Sequence, residues 1–152
     1  MAVGLVSDTH GLLRPEALEA LRGVDRILHA GDVGSAYILR ALSQVAPVVA
    51  VRGNTDGGEW ARLLPGRQIV EIGGVLVGLV HDLSTFELDP RAAGLAAVVA
   101  GHSHRPEVER RAEILYVNPG SAGPRRFSLP VTVGRLWVSP GRVSAEIVYL
   151  NV

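Results

Sequence analysis

Cysteine is absent from the chain. That excludes disulfides, thiolate metal sites and a cysteine nucleophile. Lysine is absent too: all fifteen basic residues are arginine, a bias that says nothing about chemistry. Arginine and lysine together balance the fifteen acidic residues, so the formal net charge is zero. A broad electrostatic grip on nucleic acid is therefore not indicated. No apolar run approaches the roughly 18 residues needed to span a bilayer. The N-terminus has no basic region followed by a signal-like stretch. A cytoplasmic protein with no membrane partner is the expectation. What is present is ordinary for a globular protein: 152 residues, 47% hydrophobic and 20% charged. That predicts one domain over 1–152 with a full core.

The apolar run 2–6 reads as a short buried strand, and Ser7-Asp8-Thr9-His10 follows it. A carboxylate and an imidazole one residue apart leave the strand end together. Such mixed oxygen and nitrogen donors suit divalent transition metals. Alone, Asp-x-His is a weak signal. Its weight comes from later strand-like runs that end in the same residue types.

Residues 26–30 predict a strand ending in Gly31-Asp32, and 48–51 one ending in Gly53-Asn54-Thr55-Asp56. Helices are predicted from Arg14 to Gly23, opened by Pro15, from Tyr37 to before Pro47, and around Trp60. Runs 68–72 and 75–80 flank Gly73-Gly74 and read as a tight hairpin. The second of them ends in His81-Asp82. Residues 90–97 predict a weak helix broken by Gly94. Residues 97–100 predict a buried strand ending in Gly101-His102-Ser103-His104. Beyond it, 108–111, 114–117, 131–138 and 143–150 read as an antiparallel meander, interrupted by the loop 118–126.

The early strand–helix alternation argues a parallel sheet with crossover helices, and the later hairpins a second, mixed or antiparallel sheet packed on it. Ligands in open α/β sheets sit at the carboxyl ends of strands. Asp8, His10, Asp32, Asn54, His81, His102 and His104 all fall there. Two metal ions about 3.5–4 Å apart form a clamp for phosphoryl displacement, with a water whose pKa the ions lower. Such a centre needs one carboxylate able to bridge the ions and terminal ligands for each. These seven side chains suffice. Gly31, Gly53 and Gly101 each precede one of them, where a glycine allows a sharp turn or a close approach.

In this order, Asp8-Thr9-His10, Gly31-Asp32, Gly53-Asn54, His81 and Gly101-His102-Ser103-His104 resemble the signature of the calcineurin-like metallophosphoesterases. The length and Asn118-Pro119-Gly120-Ser121 look like the small bacterial and archaeal phosphodiesterase branch. The resemblance implies a four-layer α/β/β/α sandwich of two mixed β-sheets. It implies two divalent metal ions, with Mn²⁺ first and Ni²⁺, Co²⁺, Zn²⁺ or Fe²⁺ as other candidates. It assigns Asp8, His10, Asp32 and His104 to one ion, and Asp32, Asn54, His81 and His102 to the other, with Asp32 bridging. Hydroxide held at the centre would attack phosphorus in line, with Asn54 and His102 also touching a phosphate oxygen. The expected activity is hydrolysis of a P–O bond in a small phosphodiester.

Two departures bear on substrate range. Many relatives have histidine after the motif asparagine, where it protonates the leaving oxygen; this chain has Thr55. A hydroxyl is a far poorer proton donor than imidazolium, so weaker action on alkyl monoesters is expected. Asp56 is mostly ionised at pH 7 at its reference pKa. The second departure is His81-Asp82-Leu83, where relatives often read His-Gly-His.

Other residues have two readings. His29 is a fifth metal-site histidine or a hydrogen-bonding group inside its strand. Arg125 is a substrate contact through bidentate binding of a diester, or a solvated loop charge beside Arg126. Ser121 lacks a base of its own and reads as a loop cap. Trp137 and Tyr149 fit a core or a subunit interface, and the apolar C-terminal hairpin leaves room for a homo-oligomer. The rival to an enzyme is a non-catalytic scaffold of the same fold, as in a retromer subunit. A scaffold is free to lose ligands, and none of the seven is missing here.

Overall fold

A computed structural model describes residues 1–152. It contains two five-stranded sheets. In the first, β1 (Ala2–Val6), β2 (Arg26–His29) and β3 (Val48–Ala50) run parallel, linked by α1 (Pro15–Ala20) and α2 (Ala36–Ser43). Pro15 sits in the first turn of α1, where its missing N–H has no partner to lose. Six residues cannot hold a helix alone. Packing does so, through buried Ala17 and the following Leu21, both in one core with Val6, Ile27, Ile38 and Leu42.

In the second sheet, the short α3 (Glu59–Arg62) leads into β4 (Arg67–Ile72), which pairs antiparallel with β5 (Val75–Val80). Gly73 and Gly74 both have positive φ, 56° and 84°, which a two-residue hairpin turn of this kind demands. Next come β6 (Leu95–Val99), β7 (Glu107–Arg111) and β8 (Ile114–Asn118). β6 is parallel to both β5 and β8, and β7 lies antiparallel at the edge. Finally β9 (Thr132–Ser139) returns to the first sheet beside β1, antiparallel, with β10 (Arg142–Tyr149) outside it. The sheets face each other across the largest core. Val3, Leu5, Leu28 and Leu136 of one meet Ile72, Val77, Leu79, Val99 and Val117 of the other.

Two local expectations are corrected. The weak helix over 90–97 is a single turn, with Ala93 N–H donating to Asp89 O and Leu95 N–H to Pro90 O. Gly94 at φ 74° ends it, and Leu95 onward is taken by β6. The late strands are not one meander. The β7–β8 hairpin belongs to the second sheet and the β9–β10 hairpin to the first. A hairpin pattern is local and carries no information about which sheet it joins.

The outer layers are unequal. α1 and α2 cover the first sheet. The second is covered by residues 81–94, which hold no longer helix than the 3₁₀ turn Leu83–Thr85 and the single turn before Gly94, and place Phe86 and Leu88 on Val80, Leu95 and Val98. No helix is long and apolar enough to cross a membrane.

Candidate metal centre

The carboxyl ends of β1, β2 and β3 meet those of β5 and β6 at one end of the sandwich. Backbone bonds stitch the loops together: Asp8 N–H donates to Gly31 O at 3.0 Å, His10 N–H to Asp32 O at 2.9 Å, and Gly101 N–H to His81 O at 2.9 Å. Nine non-glycine residues have left-handed backbone, and five of them are Asp8, His10, Asp32, His102 and His104. Such conformations cost about 1–3 kcal/mol each and concentrate where function holds them.

The approach of the loops is too close for side chains at two glycines. A Cβ on Gly53 would lie 2.1 Å from the Asp32 nitrogen, and one on Gly101 1.9 Å from Ser7 Oγ. Glycine is therefore required beside Asn54 and His102 for steric reasons.

Asp8 Oδ1 lies 3.3 Å from His104 Nε2, 3.7 Å from His10 Nε2 and 3.9 Å from His81 Nε2. Asp32 Oδ2 lies 3.2 Å from His81 Nε2 and 3.7 Å from His10 Nε2. His10 Nε2 and His104 Nε2 are 3.4 Å apart. Two triads result, Asp8–His10–His104 and Asp8–Asp32–His81, each with donor atoms within 4.8 Å of one another. Ligands about 2.1 Å from an ion lie roughly 3.0–3.4 Å apart at neighbouring positions of its coordination shell. The spacings are close to that.

The donor set also fits a cation chemically. Asp8 Oδ1, His81 Nε2 and His104 Nδ1 are buried with no hydrogen-bond partner, a condition that native structures rarely leave without a water or ion. His81 Nδ1 contacts Ala30 O at 2.7 Å. A carbonyl only accepts, so Nδ1 carries the proton and Nε2 presents its lone pair to the carboxylates. Burial opposes charge on His81, yet the carboxylates of Asp32, 3.2 Å from Nε2, and of Asp8 outweigh it and raise its pKa. Asp32 moves the other way: burial alone would raise its pKa, but His81 and the Thr55 N–H, which donates to Oδ1 at 2.9 Å, lower it well below the carboxylate range. The pocket thus favours positive charge against two carboxylates. Burial lowers the pKa of His104, with Arg126 and His10 adding to the shift against Asp8.

His102 and Asn54 stand at the rim. His102 is half-exposed; its N–H donates to Asp8 Oδ2 at 3.1 Å, and its ring meets that of His81 edge-on at 5.2 Å. Asn54 is exposed and shares a recess with His81 and Arg52. The structure therefore brings all seven side chains to one end of the molecule. Arg125 is engaged elsewhere, donating to Leu129 O and Val152 O, and its neighbour Arg126 is the cation whose charge reaches His104.

Several supporting residues are not evident from sequence. Ser7 Oγ donates to Asp8 Oδ2 at 2.6 Å, and Ser121 Oγ to Asp8 O at 3.0 Å. Asp56 accepts from the N–H groups of Val33, Gly34 and Gly53, so both its oxygens clamp backbone. His29 is fully buried: Gly31 N–H donates to Nδ1, leaving Nε2–H to donate to Thr9 Oγ1, which donates to Val33 O. This makes His29 a strut between the β1 and β2 loops. Burial, with the charge of His81, pushes its pKa down to about 3.

Comparison with known proteins agrees with this geometry. Residues 1–141 match the calcineurin-like phosphoesterase superfamily domain. A probable metallophosphoesterase of Methanothermobacter thermautotrophicus is 34% identical, across 97% of this chain and 92% of its own. Among solved structures, an archaeal phosphodiesterase superposes with a TM-score of 0.80 at 24% identity, covering 97% of this chain and all of its own. Vps29 of Chaetomium thermophilum does so with a TM-score of 0.78 at 19% identity, covering 99% and 98%. At those identities the two structures speak for the fold alone. The match over 1–141 and the archaeal relative establish that this chain belongs to the calcineurin-like phosphoesterase superfamily, as an enzyme of its metallophosphoesterase class.

Proposed function

We propose that the chain is a divalent-metal-dependent phosphodiesterase acting at a two-ion centre. The observation that carries this reading is the meeting of two buried carboxylates and three imidazoles at one end of the sandwich, with Asp8 Oδ1, His81 Nε2 and His104 Nδ1 unpartnered. Asp8, His10, Asp32 and His104 would hold one ion, and Asp32, Asn54, His81 and His102 the other. The nearness of Asp32 Oδ2 to both His10 and His81 supports its sharing between the ions; Asp8 Oδ1 lies near both sets as well. Bound divalent ions lower the pKa of water and offset charge on phosphoryl oxygens. Mn²⁺ is the first candidate, with Ni²⁺, Co²⁺, Zn²⁺ and Fe²⁺ behind it, because N/O ligands select by availability more than by affinity.

The chain's own groups then set the substrate. His102 and Asn54, exposed at the rim, face an arriving phosphate from the solvent side. Thr55 cannot protonate a poor leaving group as imidazolium does, and Asp56 has both oxygens on backbone N–H groups. A small phosphodiester with a good leaving group is therefore favoured over an alkyl monoester.

The test is an assay on an aryl phosphodiester with each of the five metals. Turnover with at least one, lost on chelation and absent from Asp32→Asn, supports the reading. No turnover with any would favour the scaffold reading.

A further inference from the structure

The thin outer layer over the second sheet leaves a cavity. Phe86 and Leu88 pack on β5 and β6, while Asp82 and Leu83 line a hollow shared with β7. The result is a recess of about 220 Å³ running from the metal centre, at Gly101 and His102, out to Glu107 and Arg111 on the edge strand. It is several times the roughly 30 Å³ share of one water molecule, enough for a ring-sized group. Its floor is apolar, from Val98, Ala100 and Tyr116, and the Arg111 guanidinium lies over the Tyr116 ring, 4.2 Å from its centre.

The lining charge is net negative. Three carboxylates, Asp82, Glu107 and Glu109, face one guanidinium, Arg111, which is already 3.4 Å from Glu109. On the other side of Asp82 a second recess, about 290 Å³, has no apolar lining and contains Arg52 and Asn54. The two recesses flank the His81–His102 edge, so a diester with its phosphate at the centre has one hollow for each ester group. Their chemistry differs. One is apolar and acidic, the other polar with a cation.

We propose that the recess between His102 and β7 is the subsite for one ester group of the diester, and that it takes a neutral or cationic ring and rejects an anionic one. This rests on the phosphodiesterase reading. The selectivity has a simple origin: a carboxylate or second phosphate there meets Glu107, Glu109 and Asp82 with Arg111 already paired to Glu109, whereas a quaternary ammonium finds the carboxylates and a bare ring the apolar floor of Val98 and Ala100.

Two measurements test it separately from catalysis. First, backbone amide shifts are followed by NMR in metal-free protein titrated with benzyltrimethylammonium and, in parallel, benzoate. The cation should move Val98, Ala100, Glu109 and Tyr116, benzoate should not, and E107Q/E109Q should remove the difference. Second, the metal-loaded enzyme is assayed on phenyl p-nitrophenyl phosphate and its 4-trimethylammonium and 4-carboxylate derivatives at low salt. The carboxylate should show a KM about tenfold above the ammonium compound, narrowing in E107Q/E109Q. If neither amides nor KM distinguish the charges, the proposal fails and the acidic strand only guards a sheet edge. Shifts without turnover of any ester would keep the charge selectivity of the recess but overturn the phosphodiesterase reading, and with it the recess's role as an ester subsite. Turnover with neither shifts nor discrimination would do the reverse.

Discussion

The Ser7 hydroxyl donates to Oδ2 of Asp8 at 2.6 Å. With the His102 N–H on the same oxygen, that leaves Oδ1 as the one turned to His10, His81 and His104. A carboxylate held this way is pre-oriented for a cation. Ser7→Ala should weaken divalent-metal affinity by about 10–100-fold while the protein stays folded. Competition with a fluorescent chelator measures the first, circular dichroism the second. Unchanged affinity would show that the His102 N–H is enough.

Asp32→Asn should remove turnover and leave the fold in place. It deletes the charge that Oδ2 brings to both His81 and His10. The amide can still accept from the Thr55 N–H. A thermal-shift titration with Mn²⁺ gives a readout independent of substrate: the stabilisation seen in the parent should shrink in the variant. Full activity in Asp32→Asn would overturn the mechanism.

Much of this site is legible in the sequence, because each of its side chains ends a short apolar run. Strand ends are where such folds present chemistry, so position and residue type reinforce one another. The supports were less visible. A serine beside an aspartate, as at Ser7, is common and implies nothing until the backbone turns left-handed at Asp8. Asp56 read as a weak proton donor, and only the packed loops show its oxygens on three N–H groups. Arg125 and Arg126 are indistinguishable as a pair; the course of the loop turns one toward the C-terminus and the other's charge toward His104. The assignment of β9 and β10 to the first sheet depends on long-range pairing with β1, which no local pattern encodes.

His29 predicts a pH dependence of stability. Its folded pKa is about 3 against 6.5 for the free group. Between those values the unfolded chain binds a proton that the folded chain refuses. The stability it permits is complete above pH 6.5 and falls by about 1.4 kcal/mol per unit as pH drops toward 3. Urea unfolding of metal-free protein between pH 6 and pH 5 should be steeper by that amount in the parent than in His29→Leu. Parallel slopes would mean His29 titrates normally.

The left-handed backbone at His102, φ 73°, separates two substitutions that delete the same ring. Glycine relieves the conformation and alanine keeps it. His102→Gly should be more stable than His102→Ala by about 1 kcal/mol in the metal-free protein, with both impaired in catalysis. Equal stability in chemical denaturation would remove strain from the account of this loop.

Asp8 and Asp32 leave one sheet, whereas His81 and His104 leave the other. Either ion of the proposed centre would draw ligands from both sheets, and so act as a rivet through two slabs. Prising them apart at that end would mean ejecting it, while the far end, with its Gly73-Gly74 turn, is closed by the apolar core instead. Loss of the ion would therefore loosen the molecule from one end only, like a clasp undone on a closed book.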